Sequence, residues 1–467
     1  DKSKWKSELH SYNQVTFADL YQGIDLFMDS RNGGFKYTFK VAPNYNPSTI
    51  QMTYDGQDSL TIDNEGNLHI ANRFGEIIEE KPIAWQESSF GRKKIEVSFS
   101  IEGNKVLFEL PEGYDETKEL IIDPSLTFST FSGSTADNWG FTASPDQYGR
   151  LFGGSISFGM GYPIIPGSYD STHNGGQIDV AISKFSEDGT YLIYSTYLGG
   201  SGSETPNSIV CAPNGELYIF GVTSSPNFPM AGASYDNSFA GGPNIGAVNG
   251  LDFSGGSDLY VAKLNPLGTN LLASTYVGGS GTDGLNLSNL FYNYGDQFRG
   301  EIILDDNGFV YVSSNTQSSN FPVVQGTQGA LSGTQDAVLF KLSSNLSTLL
   351  WSTYFGGSGE DTGNSVQVAQ NGDVYMAGGT SSSSLPITNG NDLMYDGDRD
   401  GYVARFNGGT GGSLSGSYIG ANEYDQAYFV QLDIDDNVYV LGQTETNLGV
   451  NGASYGVANS GQFIWKY

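Results

Sequence analysis

Gly356, Gly357 and Gly359 follow an aromatic, β-branched run in STYFGGSGED (352–361), and Glu360 and Asp361 follow the glycines. A strand that runs into a glycine-rich turn is the pattern of a phosphate cradle. Related words stand elsewhere in the chain: STYLGGSGSE from Ser195, STYVGGSGTD from Ser274, STFSGSTAD from Ser129 and GSYIGANEYD from Gly416. A phosphate loop is a single site, whereas a motif written five times is first of all architecture. An anion in this loop would also meet Glu360 and Asp361. The element expected after the glycines is a strand, not the helix N-terminus that holds phosphate.

Aligning the recurrences produces columns of residues that could do chemistry. An acid follows each aromatic strand: Asp137, Glu204, Asp283, Asp361 and Asp425. A base recurs in a later strand: Lys184, Lys263, Lys341, Arg405 and Lys466. Beyond residue 124 the chain has eight basic residues, so five in one column are not chance. An Asp opens the same strand at Asp179, Asp258, Asp336 and Asp400. An apolar-Pro pair recurs at Tyr162-Pro163, Phe228-Pro229, Phe321-Pro322 and Leu385-Pro386, with Leu448-Gly449 in the last copy. Two readings stand for the acids and bases. They form repeated structural ion pairs, or hydrogen bonds that tie neighbouring units; or the acids ring a central channel and hold a cation. The apolar-Pro pairs read as loop anchors, with sugar stacking as their functional rival. DGDRDG (396–401) places Asp396, Asp398 and Asp400 at the alternate positions of a calcium loop, although Asp400 also belongs to the repeated column.

The elements that position these residues follow from the repeat. Its strand recurs at Ser129, Ser195, Ser274, Ser352 and Ser417, with spacings of 66, 79, 78 and 65. The fourth copy is the clearest. Strand a is SVQVAQ, strand b DVYMAGG, strand c DGYVARF and strand d the LLWSTYF type, with Asn371-Gly372 as a tight turn between a and b. Four strands at this period predict propeller blades. The region opens on a lone d strand (126–133) and ends on a c strand (461–467), which predicts five four-stranded blades closed by pairing those two segments. Strand alternation puts the d–a and b–c connections on one face. The two large insertions, 241–256 and 284–300, both fall on it. Elaborated loops are the default contact surface, and Tyr292, Asn293, Tyr294, Phe298 and Arg299 are its candidate binding cluster; a loop folded over the channel mouth is the competing reading.

Residues 1–124 carry a different pattern. Strand-like runs GFKYTFKVA, 49–54, NLHIA, KIEVSFSI, KVLFEL and ELIID alternate with turns at Asn32-Gly33, Glu65-Gly66 and Glu102-Gly103. They predict an antiparallel β-sandwich-like domain (1–124) ahead of the propeller (125–467).

Composition sets the class. Glycine (64), tyrosine (29) and phenylalanine (27) are abundant in 467 residues, and charged residues are 15%. Helical periodicity is absent, as is any apolar run long enough to span a membrane. The formal charge of −30 divides as −8 over residues 1–124 (13 basic, 21 acidic) and −22 beyond (8 basic, 30 acidic). Such a surface repels nucleic acid and anionic membrane. Cys211 is the only cysteine, so an internal disulfide is excluded; it reads as a small core residue. His10, His69 and His173 lack metal-ligand spacing. The start at Asp1 without a signal peptide is expected of a processed or trimmed piece.

The words STYLGG-S-G, the NG hairpin, S-S-x-x-F-P and D-x-x-V-x-K-F/L resemble the SBBP family of β-propeller repeats. YQGIDLFMDSRNGGFKYTFKVAPNYNPSTIQMTYDGQDSL, GEIIEEKPIAWQE and LIIDPSLTFSTFSGS resemble the uncharacterised β domain that precedes such repeats in secreted surface proteins of Bacteroidota. The resemblance implies an extracellular or cell-surface location. It also implies export by the type IX secretion system through a gliding-motility-associated sorting domain outside this chain. The family supplies no catalytic residues, and its name implies seven blades where this sequence has five. The expected function is a non-enzymatic structural or adhesion module that meets other surface proteins or extracellular glycan, without a cofactor, nucleic acid or membrane insertion. The alternative is a carbohydrate-binding propeller or glycosidase. A glycosidase needs two unlike carboxylates about 5–9.5 Å apart, and the acids here look equivalent by repeat.

Overall fold

The computed structural model describes residues 14–29, 36–72, 75–79, 81–88, 91–123, 133–186, 191–293, 295–446, 448 and 461–467. Among them the regular structure is all strand apart from 3-10 turns at Pro47–Thr49 and Asp296–Phe298. The chain divides into two compact units at Ser129/Thr130.

The first unit contains a six-stranded antiparallel sheet in the order Gln14–Tyr21, Ile24–Asp29, Lys36–Val41, Leu120–Asp123, Ile83–Ser88, Gly91–Ile95. Two three-stranded sheets accompany it: Ser98–Glu102, Lys105–Glu109, Met52–Thr53; and Ser59–Ile62, Leu68–Asn72, Gly75–Glu79. Phe39, Val41, Leu68, Ile70, Phe99, Phe108 and Ile122, drawn from all three sheets, bury one another in a single core. The run KIEVSFSI, expected as one strand, is two. It breaks at Glu96–Val97, and its halves enter different sheets. The 49–54 run keeps only Met52–Thr53 as strand. Gly66 and Gly103 hold their turns at φ +92° and +68°, where a side chain would be strained. The Asn32-Gly33 turn lies outside the described residues.

The second unit is a run of meandering antiparallel sheets, here numbered I to V. Sheet I is Asn138–Pro145, Leu151–Ser157, Asp179–Phe185 and Leu192–Leu198 (strands a, b, c, d). Sheet II is Glu204–Cys211, Leu217–Thr223, Asp258–Leu264 and Leu271–Val277. Sheet III is Glu301–Leu304, Val310–Thr316, Asp336–Leu342 and Leu349–Phe355. Sheet IV is Asp361–Val368, Val374–Thr380, Asp400–Phe406 and Ser413–Ile419. Sheet V has Asp425–Leu432, Val438–Thr444 and Gln462–Lys466. The predicted closing strand 126–133 falls, except for Gly133, outside the described residues.

Neighbouring sheets stack through apolar faces. Leu339 of III packs among Val366, Val374 and Met376 of IV, and Ala377 and Val403 of IV among Val430, Val438 and Val440 of V. An outer strand d would expose an unpaired edge, a template for aggregation. Each b–c loop folds back along it instead. Ser352 and Tyr354 donate their N–H groups to the carbonyls of Val324 and Gln328, at 2.8 and 3.2 Å; Ser274 and Tyr276 do the same to Ala231 and Asp236.

Candidate functional site

The STY words are spent on that fold-back. The Ser hydroxyl donates to the carbonyl of the recurring Pro, Ser274 to Pro229 at 2.7 Å and Ser352 to Pro322 at 2.5 Å. The Tyr hydroxyl donates to a carbonyl just after strand b: Tyr197 to Gly159 (3.0 Å), Tyr276 to Ser225 (2.7 Å), Tyr354 to Ser318 (2.6 Å) and Tyr418 to Ser382 (2.7 Å). The same hydroxyls accept the N–H groups of Tyr162, Phe228, Phe321 and Leu385, the residues before the prolines, at 2.9–3.1 Å. The apolar-Pro column is thus a buried loop anchor: Tyr162, Phe228, Phe321 and Leu385 are all buried.

Glu204, Asp361 and Asp425 open strand a, Asp283 makes an isolated bridge to Thr316 ahead of the 284–300 insertion, and all four are fully buried. The fifth member was expected at Asp137, but the register moves it. Asp361 lies opposite Thr380 and Glu204 opposite Thr223, whereas opposite the equivalent Ser157 lies Asn138. Asp137 is exposed, one residue short of the column. Nor do the acids meet the strand-c bases. Asp361 accepts hydrogen bonds from the Thr380 hydroxyl, from Ser382 Oγ at 2.9 Å and from Gly357 N–H at 2.8 Å. Asp283 takes Thr316, Ser318 and Gly279, and Glu204 takes Thr223, Ser225 and Gly200. A Thr-x-Ser at the end of strand b is therefore the acid's partner.

Each acid also faces the strand-c Asp of the preceding sheet across one glycine. A Cβ on Gly356 would lie 2.6 Å from both Asp336 Oδ1 and Asp361 Oδ2; on Gly278 it would lie 2.8 Å from Asp258 Oδ1 and Asp283 Oδ2. On Gly199 it would lie 2.7 Å from Asp179 Oδ1 and Glu204 Oε2. The first glycine of the phosphate-like loop is there to make room for a carboxyl pair. The strand-c Asp residues are fully buried as well and accept b–c loop N–H groups, as Asp258 does from Ala240 and Gly241 at 2.7 and 3.0 Å. Burial, added to by the neighbouring carboxyls, pushes Asp258, Asp361 and Asp400 up to about 7. It raises Asp179, Glu204, Asp283, Asp336 and Asp425 too.

The bases sit at the other end of strand c. Lys184 pairs with Asp146 (3.2 Å), Lys263 with Glu216 (3.1 Å), Lys341 with Asp305 (3.7 Å), Arg405 with Asp373 and Lys466 with Asp433 (3.8 Å), all in or beside the a–b turns. Each also lies over a strand-b ring, as Lys184 over Phe152 at 4.5 Å and Lys466 over Tyr439 at 4.8 Å.

The candidate binding cluster is turned to the same structural use. Asn293 Nδ2 donates to Tyr428 Oη (3.1 Å) and Gln443 Oε1 (3.0 Å), which carries the 284–300 insertion from sheet III onto sheet V. Arg299 pairs with buried Asp296 at 2.7 Å and lies over Tyr428 at 4.1 Å. Phe298 is buried against Phe141 of sheet I and Phe253 of the other insertion, centroids 5.8 and 6.2 Å apart. Tyr292 leans on Tyr424 at 5.1 Å and stays exposed; Tyr294 lies outside the described residues.

The calcium-loop carboxylates do not converge. Asp400 accepts the Asp396 N–H at 3.0 Å, and Asp398 pairs with Arg399 at 3.4 Å. Among the described residues no group of three or more His, Cys, Asp or Glu is arranged to hold a metal ion. His173 fills the place of Phe239, Leu331 and Tyr395 in the other b–c loops, edge-on to Tyr197 at 6.1 Å. His69 pairs with Asp63 at 3.1 Å. Cys211 is half-buried, and burial raises its thiol. One open groove stands out, about 420 Å³, lined by Thr327, Ser332, Ser358, Ser384, Pro386 and Ser413 among others. Among the described residues no helix is long and apolar enough to cross a membrane.

Comparison with known proteins adds little chemistry. Residues 1–125 match a family described as a domain of unknown function (DUF7948). No curated protein matches. A protein of unknown function from Dyadobacter fermentans is 13% identical, with a TM-score of 0.36, over 69% of this chain and 79% of that one. A gluconolactonase from Xanthomonas campestris is 12% identical, with a TM-score of 0.28, over 66% and 84%. A sialidase from Streptococcus pneumoniae is 11% identical, with a TM-score of 0.38, over 92% and 79%. Likenesses this weak define neither the chemistry of the chain nor the closure of its sheets.

Proposed function

We propose that this chain is a non-enzymatic structural or adhesion module of a larger secreted or cell-surface protein. In this reading sheets I to V are the blades of an SBBP-type propeller, closed by residues 126–133 alongside 461–467. The observation that carries the proposal is that the chemically capable residues recur in equivalent places and are used up within the fold. The acids are enclosed between Thr-x-Ser hydroxyls and a glycine, the tyrosines hold loops, and the bases neutralise turn acids. A nucleophile or general acid has to reach a substrate, and Asp361 is fully buried. Bacteroidota origin, type IX export and partners among surface proteins or extracellular glycan belong to the same proposal and rest on the sequence resemblance alone.

The test is turnover. Assays of the intact chain on glycosides, sialosides, lactones and uronic-acid polysaccharides are expected to give none. Turnover that vanishes on substituting one repeated acid, with stability kept, would refute the proposal. A second reading, neutral glycan binding, is favoured by the groove of about 420 Å³, where Ser332, Ser358 and Ser384 stand beside apolar Phe355, Pro386 and Phe406; an array of neutral oligosaccharides decides it, and binding abolished by Ser384→Trp would support it.

A further inference from the structure

The groove of about 420 Å³ stands where sheet III hands on to sheet IV, and one side chain explains why it opens there. In sheets II and III an asparagine of the b–c loop reaches back to the preceding d–a connection. Asn227 Oδ1 accepts the Ser201 N–H at 2.9 Å, and Asn320 Oδ1 accepts the Ser280 N–H at 2.8 Å. Ser384 has that place in sheet IV and accepts the Ser358 N–H through Oγ at 3.1 Å. The backbone contact is kept by a shorter side chain, and the space that the longer one fills in the sibling sheets is left open. Charge does not enter it. The chain beyond residue 124 carries 30 acidic residues, yet no acidic or basic residue lines the groove. Serine and threonine hydroxyls beside Phe355, Pro386 and Phe406 suit the polar edge and the apolar face of an uncharged sugar.

The lining hangs from the buried Asp336–Asp361 pair. Gln328 and Ser332 donate to Asp336 Oδ2, through Nε2 at 2.7 Å and the backbone N–H at 2.9 Å. Gln328 Oε1 accepts the Gly356 N–H at 3.0 Å, and the Gly357 N–H donates to Asp361 Oδ2 at 2.8 Å. We propose, building on the glycan reading of the groove, that it takes a neutral oligosaccharide only while the Asp336–Asp361 pair beneath it holds a proton, which makes it a pH-gated site. These hydrogen bonds can meet one carboxylate. Two would repel across Gly356. Lys341, the base on the strand of Asp336, is committed to Asp305 at the other end of that strand. Tyr354, Tyr402 and Tyr418 face the pair, and burial raises all three, so they stay neutral. Glu360 turns to Asn289 and Thr334. The part that yields is the 328–333 loop, where Ser332 is exposed, whereas Thr380 and Ser382 beside Asp361 are fully buried. Burial raises Asp336 and pushes Asp361 up to about 7. Binding is therefore fully present below that pH and is lost as pH rises through it.

Calorimetric titration of the intact chain with cellohexaose, maltohexaose, mannohexaose and xylohexaose is the experiment. At pH 6 at least one of these sugars is expected to bind, at one site per chain. Its affinity is expected to fall about tenfold by pH 8, with proton uptake on binding at pH 8 read from the dependence of the heat on buffer. Ser384→Asn, which installs the residue that sheets II and III carry, is expected to abolish binding with the fold kept. Asp361→Asn is expected to bind equally at both pH values; should that variant not fold, proton uptake by the unaltered chain carries the same test. Failure of all four sugars to bind at pH 6 would overturn the glycan reading and the gate together. Equal affinity at pH 6 and 8 without proton uptake would overturn the gate and leave the glycan reading standing. Binding that survives Ser384→Asn would put the sugar elsewhere and overturn the site.

Discussion

Asp361→Asn asks whether a buried pair carboxyl holds its proton. Asp361 has two influences in opposition. Three hydrogen bonds, from Thr380, Ser382 and Gly357, favour the carboxylate, while burial and the facing Asp336 favour the acid. Burial dominates, and the group is pushed from 3.8 up to about 7. The sign follows from proton counts. Below pH 4 both folded and unfolded chains hold the proton, and its stabilising effect is fully present. Between about pH 4 and 7 the unfolded chain has lost it and the folded chain keeps it, so stability falls as pH rises, by about 1.4 kcal/mol per pH unit for one proton. The ceiling for one such carboxyl is about 4 kcal/mol. An asparagine keeps one acceptor oxygen and cannot titrate. Urea unfolding at pH 5 and pH 8 is the assay. The wild type is expected to lose stability between them, and the cost of Asp361→Asn is expected to be smaller at pH 8 by about 1–4 kcal/mol. A cost equal at both pH values, or larger at pH 8, would show that the carboxylate is the buried form and would refute the reasoning.

Gly356→Ala puts a methyl 2.6 Å from both Asp336 Oδ1 and Asp361 Oδ2, and thermal unfolding is expected to show a loss of at least about 2 kcal/mol. Lys184→Met strips a partner from buried Asp146, which keeps Arg150, for a cost of about 2–3 kcal/mol in urea unfolding. Lys466→Met breaks a half-exposed pair with Asp433 and is expected to leave the urea midpoint nearly unchanged, because solvent screens the pair. Chelator is expected to leave the melting temperature unchanged, because the acids are neutralised by protons and hydrogen bonds; a fall would indicate a bound cation.

The sheets were legible because the d strands repeat a Ser-Thr-Tyr word, Gly-Ser-Tyr in sheet IV, and the b strands of sheets I to IV follow a turn glycine, whose place Asp436 takes in sheet V at φ +60°. Pairing between columns was not. Asp400 and Arg405 stand five residues apart on one strand, and at about 3.3 Å per residue that is some 17 Å, so an acid beside Asp400 is out of reach of Arg405. Strand geometry alone would have sent the base to the a–b turn. Residue type points to Asp137, but register, which runs without a gap from Ser129 as from Ser352, points to Asn138. The Thr-x-Ser partners stood in plain sight at 223–225, 316–318 and 380–382, but hydroxyls carry no charge signal. The insertions gave their aromatic content without saying which way it pointed, and the structure turns Phe298 inward.

The central claim is that the repeated residues are architecture and equivalent. The most direct measurement is urea unfolding of Tyr197→Phe, Tyr276→Phe, Tyr354→Phe and Tyr418→Phe, each of which deletes one hydroxyl that donates to a strand-b end and accepts from the residue before a loop proline or its counterpart. Comparable losses of about 1–3 kcal/mol in all four are predicted. One variant that leaves stability untouched while abolishing a binding or hydrolytic activity would contradict the account.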